Sequence, residues 1–326
     1  MAKAPERDAP PRRATAAGNL LRIAAGFALL GLLYYWRIID LAALRVLFAR
    51  PEILALALAG ALANIPLEAL RWHVLLRAQG LELRLLRTTR ILASSVFFAN
   101  FLPGAAGGDL IRGVYIYKAA QGHRTSGLLS ILIDRLLGLV AFVLLGLGAM
   151  LTRPGTVASA YELAILGLSL GFIAALVASL FAGHRIALGL QRLLSGRSAR
   201  LARIIEDTGA ALRQYARDPR SMGLALLLSA VIVGFAVGPI VLIAEAMPFA
   251  GPSALDYGIA GLYALIANSL PVTPGGLGIG EGAFASACLV LAPQAARAAY
   301  GTIFLAFRCV FILSTLPGLA AYLISL

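Results

Sequence analysis

Two stretches of ten residues, ANFLPGAAGG at 99–108 and ANSLPVTPGG at 267–276, decide the fold of this chain. Six of the ten positions are identical, and the second stretch follows the first at an offset of 168 residues (267 against 99). The apolar runs around the two stretches follow at the same offset. The chain therefore contains an internal repeat, which we place at about 53–151 and 221–319.

The composition excludes an ordinary soluble enzyme. Of the 326 residues, 60% are hydrophobic and 13% are charged, whereas soluble domains contain roughly 45–50% apolar and about 25% charged residues. Long apolar runs recur along the whole chain, as expected of helices that cross a bilayer. The sequence predicts a polytopic membrane protein with no room for a sizeable soluble domain.

About six apolar runs are long enough to span a membrane. They are Leu20–Trp36, Ile53–Leu76, Gly127–Leu151, Tyr161–Phe181, Met222–Met247 and Tyr300–Leu323. The two runs that contain the repeated stretches are interrupted by Pro and Gly, and we expect each to form a re-entrant broken helix pair. The predicted fold class is an all-α polytopic integral membrane protein with inverted repeats.

Charge sets the predicted orientation. The net charge is +13, and the Arg and Lys residues concentrate between apolar runs, which favours cytoplasmic loops over a nucleic-acid surface. The protein is expected in a bacterial inner membrane, with both termini on the cytoplasmic side. Residues 1–19 are predicted to be a flexible tail, and 20–326 a single transmembrane domain. Residues 184–220 are predicted to be a basic connector, either an amphipathic helix on the inner leaflet or a solvated link.

The loop charges indicate that the two copies of the repeat enter the membrane from opposite sides. In secondary transporters, paired Gly/Pro-interrupted segments in two inverted halves indicate a substrate site near the midplane. The alternative is that these segments form only tight turns and helix packing contacts. Asn100 and Asn268 precede the prolines where an apolar residue would pack better, which favours a cavity.

Charged residues inside the predicted membrane segments are the candidate site residues, because such groups usually face a partner or an aqueous cavity. Asp109 and Arg112 are three residues apart and share a face if their segment is helical. Asp134 and Arg135 lie well inside a span and are expected to meet another polar group. Glu281 is a further candidate, because it follows the second Gly-rich turn as Asp109 follows the first. The alternative for Asp109 is a cap on its own helix.

Arg308 is the strongest single candidate, since it lies near the middle of the last span among apolar residues. A guanidinium can bind a phosphate through two parallel hydrogen bonds. The alternative is a buried ion pair of Arg308 with Glu281 or Asp134 that locks the bundle. Glu68 and Arg71 are predicted to be interfacial anchors. No metal or cofactor site is expected, because neither the cysteines nor the histidines have ligand spacing.

The motifs resemble those of a known family. NFLPGAAGGDLIR at 100–112, DRLLG at 134–138 and LPVTPGGLGIGEG at 270–282 are similar to the membrane region of lysylphosphatidylglycerol synthases, also called flippase-like proteins. The resemblance covers nearly the whole chain after residue 19. It implies a module that moves lipids between leaflets. Because the sequence carries no soluble aminoacyl-transferring domain, it resembles a free-standing member.

The predicted function is therefore lipid translocation, as a flippase or scramblase, rather than catalysis. The cargo would be an anionic or polar-headgroup lipid such as an aminoacyl-phospholipid, glycolipid, hopanoid or polyprenyl-linked lipid. Expected partners are membrane lipids and a lipid-synthesising enzyme on a separate chain; the oligomeric state is open. The alternatives are a membrane subunit of a lipid-modifying enzyme and a scaffold for such an enzyme.

Overall fold

The computed structural model describes residues 24, 27–28, 30–100, 106–120, 123–152, 199–249, 251–269, 273–293 and 298–325. Several predicted segments lie outside the described residues. These are the tail at 1–19, residues 20–23, 25, 26 and 29 of the first span, the span at 161–181, the connector up to residue 198, and Pro103 and Pro271 of the repeated stretches.

The described residues form helices joined by turns, without a strand. In chain order the helices are α1 (Leu44–Phe48), α2 (Pro51–Ala78), α3 (Leu85–Ala99), α4 (Ala106–Ala119), α5 (Arg124–Leu151), α6 (Ala199–Arg217), α7 (Pro219–Ala246), α8 (Ala254–Asn268), α9 (Ile279–Leu291), α10 (Gly301–Ser314) and α11 (Leu316–Ser325). A 3-10 turn, Pro274–Gly276, lies between α8 and α9.

Four helical segments of the described chain are long and apolar enough to cross a membrane. They are Pro51–Ala78, Arg124–Ala149, Pro219–Ala246 and Gly301–Ile324. They confirm four of the six predicted spans and establish an all-α polytopic membrane protein. The last segment comprises α10 and α11, which are separated by a turn at Thr315, two residues before Pro317.

The two Pro/Gly-interrupted segments form pairs of short helices. The first pair is α3 with α4, and the second is α8 with α9. The longest of these helices has 15 residues, which is ~22 Å and shorter than the roughly 30 Å hydrocarbon core. No single helix of either pair is long enough to cross a bilayer.

Helices at corresponding positions of the two halves pack against each other in opposite directions. The bounds of α2 and α7 differ by 168 residues at both ends. Arg71 on α2 meets Ser229 on α7, whereas Gly60 on α2 meets Pro239 on α7, so the two helices run antiparallel. This is the geometry that an inverted repeat requires; the side from which each half enters the membrane stays a prediction.

The remaining helix contacts follow the same correspondence. In the first half α2 contacts α3, α3 contacts α4, and α4 contacts α5; in the second half α7 contacts α8, α8 contacts α9, and α9 contacts α10. Across the halves, α2 contacts α10 and α7 contacts α5. The two broken pairs are thus held at equivalent places around the central α2–α7 contact.

The described part of the basic connector docks on the bundle. On α6, Tyr215 is buried and its hydroxyl donates to the carbonyl of Leu75 at 3.1 Å. Gln79 donates to the carbonyl of Ala211 at 3.0 Å. One face of α6 therefore packs against the end of α2 instead of lying free in water or on lipid.

Two glycines allow helices of the bundle to approach closely. A Cβ on Gly108 would lie 2.6 Å from the carbonyl oxygen of Ser95, so α4 contacts the backbone of α3. A Cβ on Gly318 would lie 2.1 Å from the carbonyl oxygen of Ala93, at the contact of α11 with α3. The close approach of α4 to α3 therefore requires glycine at position 108.

We expect Gly318→Ala to destabilise the protein, because overpacking against a fixed backbone costs roughly 1–3 kcal/mol. Gly148→Ala is the matched control, since a Cβ there meets no atom within 4 Å and Ala is the better helix former. Thermal unfolding in detergent should show a lower midpoint for Gly318→Ala and an unchanged or higher one for Gly148→Ala. Equal midpoints would contradict the close contact.

Candidate functional site

One carboxylate holds three membrane helices of the first half together. Asp134, on α5, accepts a hydrogen bond from Arg71 Nε at 2.7 Å and from Arg112 Nη2 at 3.0 Å. Its side chain is 2% exposed. Arg71 also donates to the hydroxyl of Ser229 on α7 at 3.0 Å. We name Arg71, Arg112 and Asp134 the Asp134 cluster.

The Asp134 cluster lies deep in the bundle. Asp134 is ten residues after the start of α5, or ~15 Å along the helix axis. Removing one partner from a buried ion pair costs roughly 3–5 kcal/mol, because a charge is left uncompensated. The cluster therefore fixes α2, α4 and α5 relative to one another.

An aromatic ring positions the second arginine of the cluster. The guanidinium carbon of Arg112 lies 4.2 Å from the ring centroid of Trp72. Trp72 is fully buried, and its indole N–H donates to the hydroxyl of Ser130 at 3.0 Å. A buried cation over an aromatic face gains up to about 2 kcal/mol, so Trp72 holds Arg112 against Asp134.

A second ion pair joins α4 and α5 at a more exposed place. Asp109 accepts a hydrogen bond from Arg135, and the two side chains are 22% and 41% exposed. The expected contact of Asp109 with Arg112 is present but longer, at 3.8 Å. The principal partners are thus Arg135 for Asp109 and Asp134 for Arg112.

A cavity of about 480 Å³ lies beside both ion pairs. It is lined by residues of α2, α3, α4, α5 and α7, and by Ser269 at the end of α8. Its charged lining residues are Glu68, Arg71, Asp109, Arg112, Asp134 and Arg135. Three cations and three anions therefore surround one space between helices that are apolar enough to span a bilayer.

Three polar groups at the cavity have unused capacity within the described part of the chain. Arg112 Nε and Asn64 Oδ1 are buried without a hydrogen-bond partner. No hydrogen bond or ion pair of a described residue reaches the carboxylate of Glu68. Buried polar groups usually have partners, and Asn64, Glu68 and Arg112 all line the cavity, so the cavity suits a polar ligand.

Arg308 lies in the other half, where each of its three side-chain nitrogens donates a hydrogen bond to the protein. Its Nε donates to Glu281 Oε1 at 2.5 Å, and its Nη2 donates to Asn268 Oδ1 at 2.9 Å and to the carbonyl of Gly276 at 3.1 Å. Its Nη1 donates to the carbonyl of Gly275. The structure thus realises the ion pair with Glu281, the alternative to a phosphate contact.

Glycine is required at the turn that Arg308 braces. Gly275, Gly276 and Gly278 have φ angles of 57°, 70° and 82°, which residues with a Cβ rarely adopt. A Cβ on Gly276 would also lie 2.2 Å from Asn268 Oδ1. Glu281 accepts the N–H of Gly278 at 2.8 Å, so Glu281 and Arg308 stabilise the turn from both sides.

The structure divides the predicted site residues between the two halves. Asp109, Arg112, Asp134 and Arg135 surround the first-half cavity, and Asn268, Glu281 and Arg308 form the second-half ion-pair group. Asn100 joins neither group; its side chain donates to the hydroxyl of Thr315 at 3.1 Å.

The prediction of interfacial anchors on α2 does not describe these side chains, because Arg71 is 6% exposed and paired with Asp134. Glu68 borders the same cavity. The spacing of Asn64, Glu68 and Arg71, four and three residues apart, places them on one face of α2. That pattern inside a 28-residue apolar helix was the signal for a polar interior face.

Comparison with known proteins gives a match to a family model, described as the lysylphosphatidylglycerol synthase TM region, over residues 19–318. No curated protein and no solved structure gives a significant match.

We expect Asp134→Asn to lower the stability of the folded protein by about 3–5 kcal/mol, because it removes the countercharge of two buried guanidinium groups. Glu68→Gln is the matched control in the same cavity, since Glu68 forms no ion pair with a described residue. Thermal unfolding in detergent should show a large fall for Asp134→Asn and little change for Glu68→Gln. Similar midpoints for the two variants would disprove a structural role for Asp134.

Proposed function

This chain belongs to the family of lysylphosphatidylglycerol synthase transmembrane regions, and on that premise we propose that it carries a lipid with a charged headgroup between the two leaflets of its membrane. The observation that supports the proposal is the cavity lined by three arginines and three carboxylates among membrane-spanning helices. Ionisable groups at membrane depth usually serve transport or binding.

The size of the cavity is suited to a headgroup. Its volume of about 480 Å³ lies within the range of roughly 300–1,000 Å³ that is typical of small-molecule sites. The cost of moving a charged headgroup through hydrocarbon comes from lost hydration. A cavity with its own hydrogen-bonding groups offsets that cost, while the acyl chains stay in the bilayer.

The arrangement of charges favours a headgroup with both a phosphate and an amine. Asp134 is shared by two guanidinium groups, which leaves positive charge at the wall of the cavity that Arg71 and Arg112 line. Among the described residues, Arg112 Nε has no hydrogen-bond partner. Arginine is well suited to phosphate, because its donors match the phosphate oxygens. Glu68 offers a carboxylate to an ammonium group. We assign the phosphate to Arg112 and the amine to Glu68.

Translocation accounts for the charges better than catalysis does. Within the described residues, the second group of charges, Glu281 with Arg308, lies in the other half, and its donors and acceptors satisfy each other and a glycine turn. The groups left free are binding groups, a carboxylate and a guanidinium N–H. A headgroup that enters the cavity can bind these groups without displacing a partner within the protein.

The test is reconstitution of the purified protein into vesicles with fluorescent phosphatidylethanolamine labelled on one acyl chain. An impermeant reductant destroys the label in the outer leaflet, and loss of inner-leaflet protection measures translocation. We expect Glu68→Gln to slow translocation by about tenfold or more, because a charge-assisted hydrogen bond is worth roughly 1.5–3 kcal/mol.

Glu52→Gln is the control variant, since Glu52 lies exposed in the first turn of the same helix. This variant should translocate the lipid at the wild-type rate. Equal rates for Glu68→Gln and wild type would remove Glu68 from the headgroup site. No protein-dependent movement of phosphatidylethanolamine, phosphatidylglycerol or an aminoacyl-phospholipid would contradict translocation itself and favour a subunit of a lipid-modifying enzyme.

A further inference from the structure

An apolar groove of about 540 Å³ follows the outer face of α4 and α5. Its lining includes exposed large side chains: Leu110, Val114, Leu128 and Leu132 are 69%, 55%, 42% and 54% exposed. It extends along α4 from Asp109 to Lys118, nine residues or ~13 Å. A surface of this composition suits a hydrocarbon chain.

The groove and the polar cavity share a wall. Asp109 and Arg135 line both spaces, and their ion pair lies where the groove meets the cavity. Arg135 is 41% exposed, in contrast to the buried Asp134 beside it. A molecule with a charged end in the cavity and an apolar end in the groove would therefore pass this ion pair.

A second apolar groove provides a contrast. It has a volume of about 520 Å³ and is lined by α2 and α7 residues, including Gly60, Val231 and Gly234. It has no charged lining residue and shares none of its lining with the polar cavity. Ordinary bilayer lipid could contact either groove, but continuity with a headgroup site distinguishes the first.

We propose that the α4–α5 groove binds one acyl chain of the lipid whose headgroup occupies the cavity, and that the Asp109–Arg135 ion pair is the gate between chain and headgroup. This inference rests on the proposed function, because it takes the cavity as the headgroup site. Opening the gate transfers the carboxylate and the guanidinium from each other to the polar headgroup that passes between them.

The test uses phosphatidylethanolamine with a photoactivatable diazirine on one acyl chain, in phosphatidylcholine vesicles that contain the full chain. Labelled residues are mapped by mass spectrometry. We expect labelling of the α4–α5 groove to exceed labelling of the α2–α7 groove. A diazirine diacylglycerol, which lacks a charged headgroup, should label the two grooves alike.

Groove-filling variants make the test specific. At Gly113 a Cβ would lie 3.5 Å from Leu128, an ordinary contact, and at Gly234 it would meet no atom within 4 Å. Gly113→Leu should reduce labelling of the α4–α5 groove by about tenfold, equivalent to about 1.4 kcal/mol of lost binding. Gly234→Leu should leave that labelling unchanged. Val114→Trp and Val231→Trp form a second pair if a leucine variant does not fold.

Equal labelling of both grooves, or unchanged labelling in Gly113→Leu, would overturn the chain site. Translocation is measured separately in the same vesicles. Preferential labelling without translocation would support the chain site and contradict the proposed function. Translocation with equal labelling would retain the proposed function and overturn the chain site.

Discussion

The carboxylate of Asp134 is the constraint on which the first half of the molecule depends. It is shared by Arg71 and Arg112, so one buried anion links α2, α4 and α5, and Arg71 extends the link to Ser229 on α7. These groups are buried, so loss of one partner leaves a charge uncompensated. The short pair α3–α4 is consequently tied to the long helices by charge as well as by packing.

The second half also contains a buried ion pair, but its charged groups have a different role. Arg308 and Glu281 also form an ion pair inside the bundle, but the remaining donors of Arg308 go to Asn268 and the carbonyls of a glycine turn. That group is closed on itself. Around Asp134, by contrast, Arg112 Nε has no hydrogen-bond partner in the described part of the chain, and Glu68 and Arg112 line the cavity. In the second half the ion pair stabilises a turn, whereas the first half contains the polar groups that we propose bind a headgroup.

This asymmetry connects the proposed headgroup site with the acyl-chain groove. The cavity supplies charge, the neighbouring groove supplies apolar surface, and the Asp109–Arg135 pair belongs to both. A lipid combines the same two properties in one molecule. The geometry therefore accounts for how a headgroup could be enclosed while its chains remain in contact with the bilayer, which is the central physical difficulty of moving a lipid between leaflets.

The sequence by itself determined the fold class and the repeat, because apolar length and Pro/Gly interruption are properties of local sequence. It also identified Asp109, Arg112, Asp134 and Arg135 as groups that need a polar partner or a cavity, since isolated charges in apolar runs are costly. Only the tertiary structure decided which charged residues form ion pairs with each other. In the sequence, Arg71 and Glu68 lie towards one end of α2. In the structure, α2 packs antiparallel to α7, and both side chains line the cavity. Arg308 is also a charged residue within an apolar helix, but it pairs with Glu281, because the choice of partner depends on which helices pack together.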